Sequence, residues 1–493
     1  MQRYKKYSSA SIRDLVSAEV TARTGKVPYS WQLDVVEAIL FGLDCIVLAG
    51  TGSGKTLPFA MVLLADGTKK KKVIIVSPLN ELQKEQATFF NKMGLNATAV
   101  NGTTWSDKLH KELLRDEYCV ILTSPEMLLA HEDFSKLVRT PSFTGNLAAI
   151  IVDEAHCISQ WGGQFRKEYA QLEQLRCYVP LSVPVLAVSA TMNPTVLDDV
   201  RLKLRLSTTR TFVLNLGNDR PNIIPLVCPM RLAKDLNALN FVLQELSTNS
   251  PLIRTVIFFD SRELARSAWE HLFKQVPDEL KSQVNFIHAA RCNRTKRFVM
   301  NRFRRGEIKI LCATEVAGMG LDIPDLRRSI QFGVPHSLDE WIQHLGRAGR
   351  DGEPAVAIFL AEPSVFQLKK KRLPIKPPNL RSIKIEETTA HRKSVEPALR
   401  AYLETASCRR AFVNKHFNNP PTAKGAYAET KCWEEAYSYC IWGPQVLLPP
   451  KVLEGLAKRA HIRTVEDIKT EFPDWSFADK HGNDVLNLLR PID

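Results

Sequence analysis

The chain has 493 residues, 44% of them hydrophobic and 24% charged, the profile of a globular protein with more than one domain. A formal net charge of +14 favours a polyanionic partner, nucleic acid or an acidic membrane surface, although a solvated basic surface with no partner would give the same number. No uninterrupted apolar run is long enough to span a bilayer, so no segment within a membrane is expected, and nucleic acid rather than a membrane is the expected partner.

No apolar stretch follows the basic start "MQRYKKYSS", so no signal peptide is expected, and residues 1–27 read as an extension. From residue 28 to 215, "DCIVLAG", "KVIIVSP", "CVILTSP", "LAAIIVDE" and "VLAVSAT" are continuous apolar runs, as strands buried on both faces should be. Helix-like segments such as "WQLDVVEAILFG" and "ELQKEQATFFNKM" separate them, which predicts an α/β lobe with a parallel sheet. The pattern restarts after residue 250 with "RTVIFFDS", "VNFIHAA", "IKILCAT" and "RSIQFGV", a second lobe over 216–367. Asn- and Pro-punctuated sequence near 215–229 predicts a hinge between the lobes. Residues 368–382 read as a basic, proline-rich linker, 383–445 as a small helical subdomain and 446–493 as a short helical segment. The runs Lys69–Lys72 and Lys369–Arg372 read as solvated loops or as nuclear signals. Cys45 and Cys312, inside apolar runs, read as reduced core residues of a cytosolic or nuclear protein: nuclear if eukaryotic, otherwise cytoplasmic.

"LAGTGSGKT" follows the first strand and precedes a helical pattern, the context a phosphate-binding loop requires. Gly50, Gly52 and Gly54, with Ser53 between the last two, let backbone N–H groups turn inward around phosphate oxygens. Lys55 would hold the β- and γ-phosphates and Thr56 a Mg²⁺ ion. "IIVDEAH" supplies the complement: Asp153 to hold Mg²⁺ and Glu154 to orient or deprotonate the attacking water. Loop and acid pair, in this order on one lobe, predict a site of nucleoside triphosphate hydrolysis.

Directly after the acids, Trp161 and Phe165 stand among Gln160, Gly162, Gly163, Gln164 and Arg166, flanks too polar for a core strand. The two rings can stack on unpaired bases, while Arg166 and Lys167 hold phosphates. His156, between Glu154 and the loop, is placed to relay the state of the nucleotide. The alternative is that both rings are ordinary core.

These motifs resemble the superfamily-2 helicases, and within them the RecQ family, over roughly residues 28–365. "GTGSGKT", "SPLNELQKEQ", "DEAH" and "SAT" are similar to motifs I, Ia, II and III; "VIFFDSR", "ATEVAGMGLDIP" and "QHLGRAGRDG" are similar to motifs IV, V and VI. "HCISQWGGQFRKEY" resembles the family's aromatic-rich loop, and "ALRAYLETASCRR" the start of its zinc-binding subdomain. The resemblance implies two RecA-like lobes, ATP and Mg²⁺ as cofactors, and 3′-to-5′ translocation on single-stranded DNA with unwinding of duplex. It gives Gln32 the reading of adenine, Gln343, Arg347 and Arg350 a place facing the triphosphate, and Asp322 a link from nucleotide to DNA. Ser189 and Thr191 would couple the lobes.

The chain departs from the family in two places. The family's Phe-Arg-Pro-Gly-Gln is "PYSWQ" here, so only Gln32 matches and Tyr29 is the candidate to replace the arginine contact. No two cysteines lie three apart, which leaves Cys408, Cys432 and Cys440 with His416 as a zinc set, or a decayed site held by packing. The stretch from Ile441 to Asp493 is short for a typical domain, which points to single-stranded and tailed duplex DNA as partners over blunt duplex. An RNA-dependent ATPase and a catalytically idle nucleic-acid-binding protein remain the rival readings; intact Lys55, Glu154, Arg347 and Arg350 speak against the second.

Overall fold

The structure, a computed structural model, describes residues 8–66, 70–160, 166–180, 182–248, 250–315, 323–373, 384–405, 407–420 and 464–471. The apolar runs of the first half become β1 (Asp44–Leu48), β2 (Lys72–Val76), β3 (Ala97–Val100), β4 (Val120–Thr123), β5 (Leu147–Val152), β6 (Val185–Ser189) and β7 (Thr211–Asn215). They form one sheet, ordered β3-β4-β2-β5-β6-β1-β7, with parallel pairing throughout. Successive residues of a strand point to opposite faces, and here both faces are core. Ile46, Leu48, Ile74 and Val76 pack on one side; Cys45, Val47, Val73 and Ile75 pack on the other.

The second lobe repeats the design with β8 (Ile223–Pro229), β9 (Thr255–Phe259), β10 (Val284–Ile287), β11 (Ile310–Ala313), β12 (Arg328–Phe332) and β13 (Ala355–Ala361). Its sheet is also parallel, in the order β10-β11-β9-β12-β13-β8. The fold is therefore the expected α/β pair of parallel-sheet lobes, and Cys45 and Cys312 are fully buried in them.

Several boundaries differ from the sequence reading. Helix α1 (Ser9–Thr24) starts on Ser8, whose hydroxyl accepts the Ser11 N–H, and stops on Gly25 in the left-handed region. Its Val16 and Val20 pack against Val36 and Met61, so the N-terminal extension belongs to the first lobe. The hinge is shorter than expected, because β7 ends at Asn215 and β8 already begins at Ile223. Of the expected linker, the described part is a strand, β14 (Leu368–Leu373), paired antiparallel with β15 (Lys384–His391). The two lysine-rich runs also change character. Lys72 is buried in β2, paired with Asp116 and over the Phe143 ring, and Lys369–Arg372 lies on β14.

The helices Pro397–Glu404 and Arg409–His416 do not stand apart as a subdomain. Leu399, Tyr402, Leu403, Val413 and Phe417 share one core with Trp341, Phe359 and Val365 of the second lobe. Glu396 caps the first of these helices, accepting from the N–H groups of Ala398 and Leu399, and Pro397 takes the first turn, where its missing N–H costs nothing. In the tail, Val465–Glu471 is helical as expected, and the segment "LPPKVLEGLAKRA" lies outside the described residues. Among the described residues no helix is long and apolar enough to cross a membrane. Because Leu399 is fully buried, Leu399→Ala is expected to cost about 2–5 kcal/mol of second-lobe stability. Denaturant unfolding followed by a second-lobe probe would show it, whereas an independent subdomain would leave that transition in place.

Candidate nucleotide site and inter-lobe contact

In a parallel α/β sheet, ligands gather at the carboxyl ends of the strands. The phosphate loop leaves β1, the acid pair leaves β5, and β6 lies between these two strands and ends at Ser189. The register pairs Leu48 with Ser189, which brings the strand ends level. Gly52 and Gly54 have φ of 82° and 86°, a conformation that favours glycine. A Cβ on Gly54 would also lie 2.9 Å from the Gln32 amide nitrogen. The helix after the loop, α2's neighbour in sequence order, is α3 (Pro58–Leu64), with α2 spanning Ser30–Leu40. Helix α3 starts two residues beyond Thr56, with Pro58 in its first turn.

Lys55 Nζ donates to the carbonyls of Ala49 (2.8 Å) and Gly50 (3.1 Å). Desolvation lowers its pKa to about 8 despite the attraction of Glu154 and Asp153; Arg350 and Arg347 lower it further. Asp153 is buried, and burial together with the Glu154 charge raises its pKa. Its Oδ2 accepts from Gln86 Nε2 at 2.8 Å and its Oδ1 from the Glu154 N–H at 3.0 Å. Glu154 adopts φ 50°, rare for a non-glycine residue, and its Oε2 lies 3.4 Å from His156 Nδ1. A divalent cation suits this pair: Thr56 and Asp153 offer hard oxygen donors, and a cation would reverse the rise in carboxylate pKa.

Gln32 is buried, but both ends of its amide are used within the protein: Oε1 accepts from Tyr29 N (2.8 Å) and Nε2 donates to Gly54 O (2.9 Å). It thus ties the start of α2 to the phosphate loop, and Tyr29 beside it is exposed.

The second lobe reaches the site through the end of the helix Leu338–Leu345. Gln343 Nε2 lies 3.0 Å from His156 Nε2 and 3.1 Å from Thr191 Oγ1. An amide nitrogen only donates, so His156 Nε2 is the acceptor and the ring proton sits on Nδ1. Nδ1 lies 2.8 Å from Ser189 Oγ, which donates onward to Thr191 O at 3.0 Å. Burial lowers the His156 pKa, consistent with this neutral tautomer. All four side chains are buried. Thr51 Oγ1 donates to Gly346 O (2.7 Å), and the Arg350 Cγ lies 3.7 Å from where a Gly52 Cβ would be. Arg347 and Arg350 are thereby brought to the phosphate loop.

Some assigned residues are placed differently. Arg166 does not offer a free guanidinium for a phosphate: it is paired with Glu126 through Nε and Nη2, and Nη1 donates to Pro78 O. It anchors the base of the loop, while Lys167 is exposed. Tyr169 is fully buried. Trp161, Phe165, Asp322, Cys432 and Cys440 lie outside the described residues. Gln86 and Arg220 were not singled out from the sequence. Gln86 had a signal, since Gln83 and Gln86 share the buried face of α4 (Asn80–Lys92) with Ala87 and Phe90.

The first lobe matches the DEAD/DEAH box helicase family over residues 29–200, and the second matches the helicase conserved C-terminal domain over 237–352. A probable ATP-dependent DNA helicase, RecS of Bacillus subtilis, is 31% identical over 345 residues, covering 69% of this chain and 65% of the relative. The ATP-dependent DNA helicase RecQ of Pasteurella multocida is 27% identical over 434 residues, 86% of this chain and 61% of its own length. The chain is a RecQ-like superfamily-2 helicase in sequence and fold. The MrfA helicase bound to DNA and AMPPNP shares the fold with a TM-score of 0.59 at 20% identity, covering 71% of this chain and 50% of that one.

The zinc set expected of this RecQ-like chain is not assembled by the described residues. Cys408 and His416 stand at opposite ends of one helix, separated by about 12 Å of rise for eight residues, whereas two donors on one zinc are only about 4 Å apart. His416 instead packs against Phe412 and Phe417.

The Gln343 bridge makes a quantitative expectation. His156→Ala and Gln343→Ala should each slow DNA-stimulated nucleotide turnover, and the pair should be non-additive by about 0.5–3 kcal/mol. Strict additivity in a double-mutant cycle would mean that the contact carries no coupling.

Proposed function

We propose that the chain is an ATP- and Mg²⁺-dependent DNA helicase that moves on single-stranded DNA, 3′ to 5′, and separates duplex. The observation that carries this reading is the convergence of Lys55, the Asp153–Glu154 pair and the arginine-bearing loop of the second lobe on one crevice. Thr56 and Asp153 would hold Mg²⁺, which when bound offsets the charge on the phosphate oxygens. Lys55, turned back onto the Ala49 and Gly50 carbonyls here, would exchange them for the β- and γ-phosphates. Glu154, whose carboxylate stands beside Asp153 and within 3.4 Å of His156 Nδ1, would orient the attacking water and take its proton. Arg347 and Arg350 would neutralise charge that builds in the transition state. Gln32 would have to release Gly54 to read adenine.

Hydrolysis can move DNA only if the lobes respond to it. Gln343 joins the second lobe to His156, two residues after Glu154, and the same segment continues into Trp161 and Phe165. Stacking of a base on those rings would thus be linked to the water-activating carboxylate. DNA as the track and cytoplasm or nucleus as the compartment belong to the same proposal. The net charge of +14 suits a phosphate backbone.

Lys55→Ala is expected to abolish ATP turnover while single-stranded DNA binding persists, because the ammonium has no substitute. ATPase assays with single-stranded DNA and RNA, and strand displacement on duplexes with a 3′ or a 5′ tail, test the rest. Turnover stimulated by RNA alone, or displacement only from a 5′ tail, would contradict the reading. Trp161→Ala is expected to keep basal turnover and the melting temperature, to weaken single-strand binding by about 1–3 kcal/mol, and to reduce DNA stimulation much further. Early melting with loss of basal turnover would show Trp161 to be core.

A further inference from the structure

The strap between the sheets, Asn215 to Ile223, touches the catalytic loops directly. Arg220 Nη1 donates to Thr51 O of the phosphate loop at 2.9 Å and lies 3.5 Å from Gly346 O. Its Nη2 donates to Gly349 O at 2.5 Å and lies 3.5 Å from Ala348 O. Thr51 also donates to Gly346 O, so three groups close a ring across the crevice. Gly346 and Gly349 bracket Arg347 and Ala348, and Gly349 immediately precedes Arg350. A planar guanidinium with divergent N–H groups fixes the relative position of two backbone segments in a way that one ammonium cannot.

The strap itself is held from the far side. Arg410, on the helix Arg409–His416, pairs with Asp219 and donates from Nη2 to Ile223 O at 2.8 Å. Asn419 Nδ2 donates to Asn218 Oδ1 at 2.8 Å, and Asn215 Nδ2 donates to Asn418 O at 2.8 Å. Gly217, at φ 76°, would carry a Cβ only 3.4 Å from Asn419. The residues on both sides of Arg220 are thus fixed by the C-terminal helix pair.

We infer that Arg220 is a positioning residue for ATP hydrolysis: it holds the phosphate loop against the loop carrying Arg347 and Arg350, and the C-terminal helices set it through Asp219 and Asn218. The inference rests on the ATP-hydrolysis reading of the crevice. The functional consequence follows from which contacts Arg220 makes. It touches the backbone of both catalytic loops and none of the side chains assigned to ATP binding in the first lobe, so its loss should misplace the arginines more than it weakens ATP.

The test is steady-state ATPase on the full chain with saturating single-stranded DNA, alongside thermal melting. Arg220→Ala is expected to lower kcat on the order of 10–100-fold, with KM for ATP and the melting temperature near the parent. Arg220→Lys, which keeps the charge but can bridge fewer carbonyls, should fall between. Arg410→Ala should act in the same direction, and the double variant should be no slower than Arg220→Ala. Parent-like kcat in Arg220→Ala overturns the inference, and a double variant slowed by the product of both effects overturns the route through the C-terminal helices. If Arg220→Ala melts early, Arg220→Lys decides: parent-like melting with reduced kcat supports positioning, and parent-like kcat rejects it. A parent with no DNA-stimulated turnover would refute the underlying ATPase reading instead.

Discussion

One amide nitrogen, that of Gln343, gives its two protons to acceptors in the other lobe, His156 and Thr191. The contact is buried, so losing it would strand polar atoms away from water, at a cost of about 1–3 kcal/mol for each group left unpaired. It fixes the His156 tautomer, and through it the Ser189 hydroxyl at the end of β6. Motifs far apart in sequence become one hydrogen-bonded unit. The arrangement of the crevice depends on that unit, because His156 follows Glu154 by two residues on the same turn.

The crevice is also an electrostatic balance. Two adjacent carboxylates are expensive to bury, and the rise in the Asp153 pKa expresses that cost. Lys55 relieves it only in part, since it too is desolvated and has Arg347 and Arg350 for neighbours. A triphosphate with its divalent cation would satisfy both sets at once, the anion by the lysine and arginines and the cation by the acids. Backbone strain at Glu154 and the occupied amide of Gln32 fit a site whose internal contacts are exchanged when nucleotide arrives.

Much of this was legible in the sequence because the signals are local. Continuous apolar runs such as "LAAIIVDE" report strands buried on both faces, and a glycine-rich loop ending in Lys-Thr reports its own geometry. The resemblance to RecQ helicases supplied Gln343 and the arginines, and the structure brings them to the first lobe. What was not legible depends on contacts between distant segments. Arg166 looked like a phosphate ligand from its neighbours, and only the fold reveals Glu126 beside it. Arg220 was read only as part of the hinge, because its partners are carbonyl oxygens that any sequence possesses. The C-terminal helices read as a separate subdomain because hydrophobic periodicity says that a face is buried, not against what. Here that face completes the core around Trp341.

The central claim is that nucleotide state sets the relation of the two lobes through the Gln343 contact. Fluorescence energy transfer between one dye on each lobe, recorded without nucleotide, with a non-hydrolysable ATP analogue and with ADP, tests it most directly when single-stranded DNA is bound. The account predicts an efficiency that differs between the analogue and ADP states, and that this difference collapses in Gln343→Ala while analogue binding remains. The same efficiency in every nucleotide state of the parent, or a parent-like change in Gln343→Ala, would contradict it.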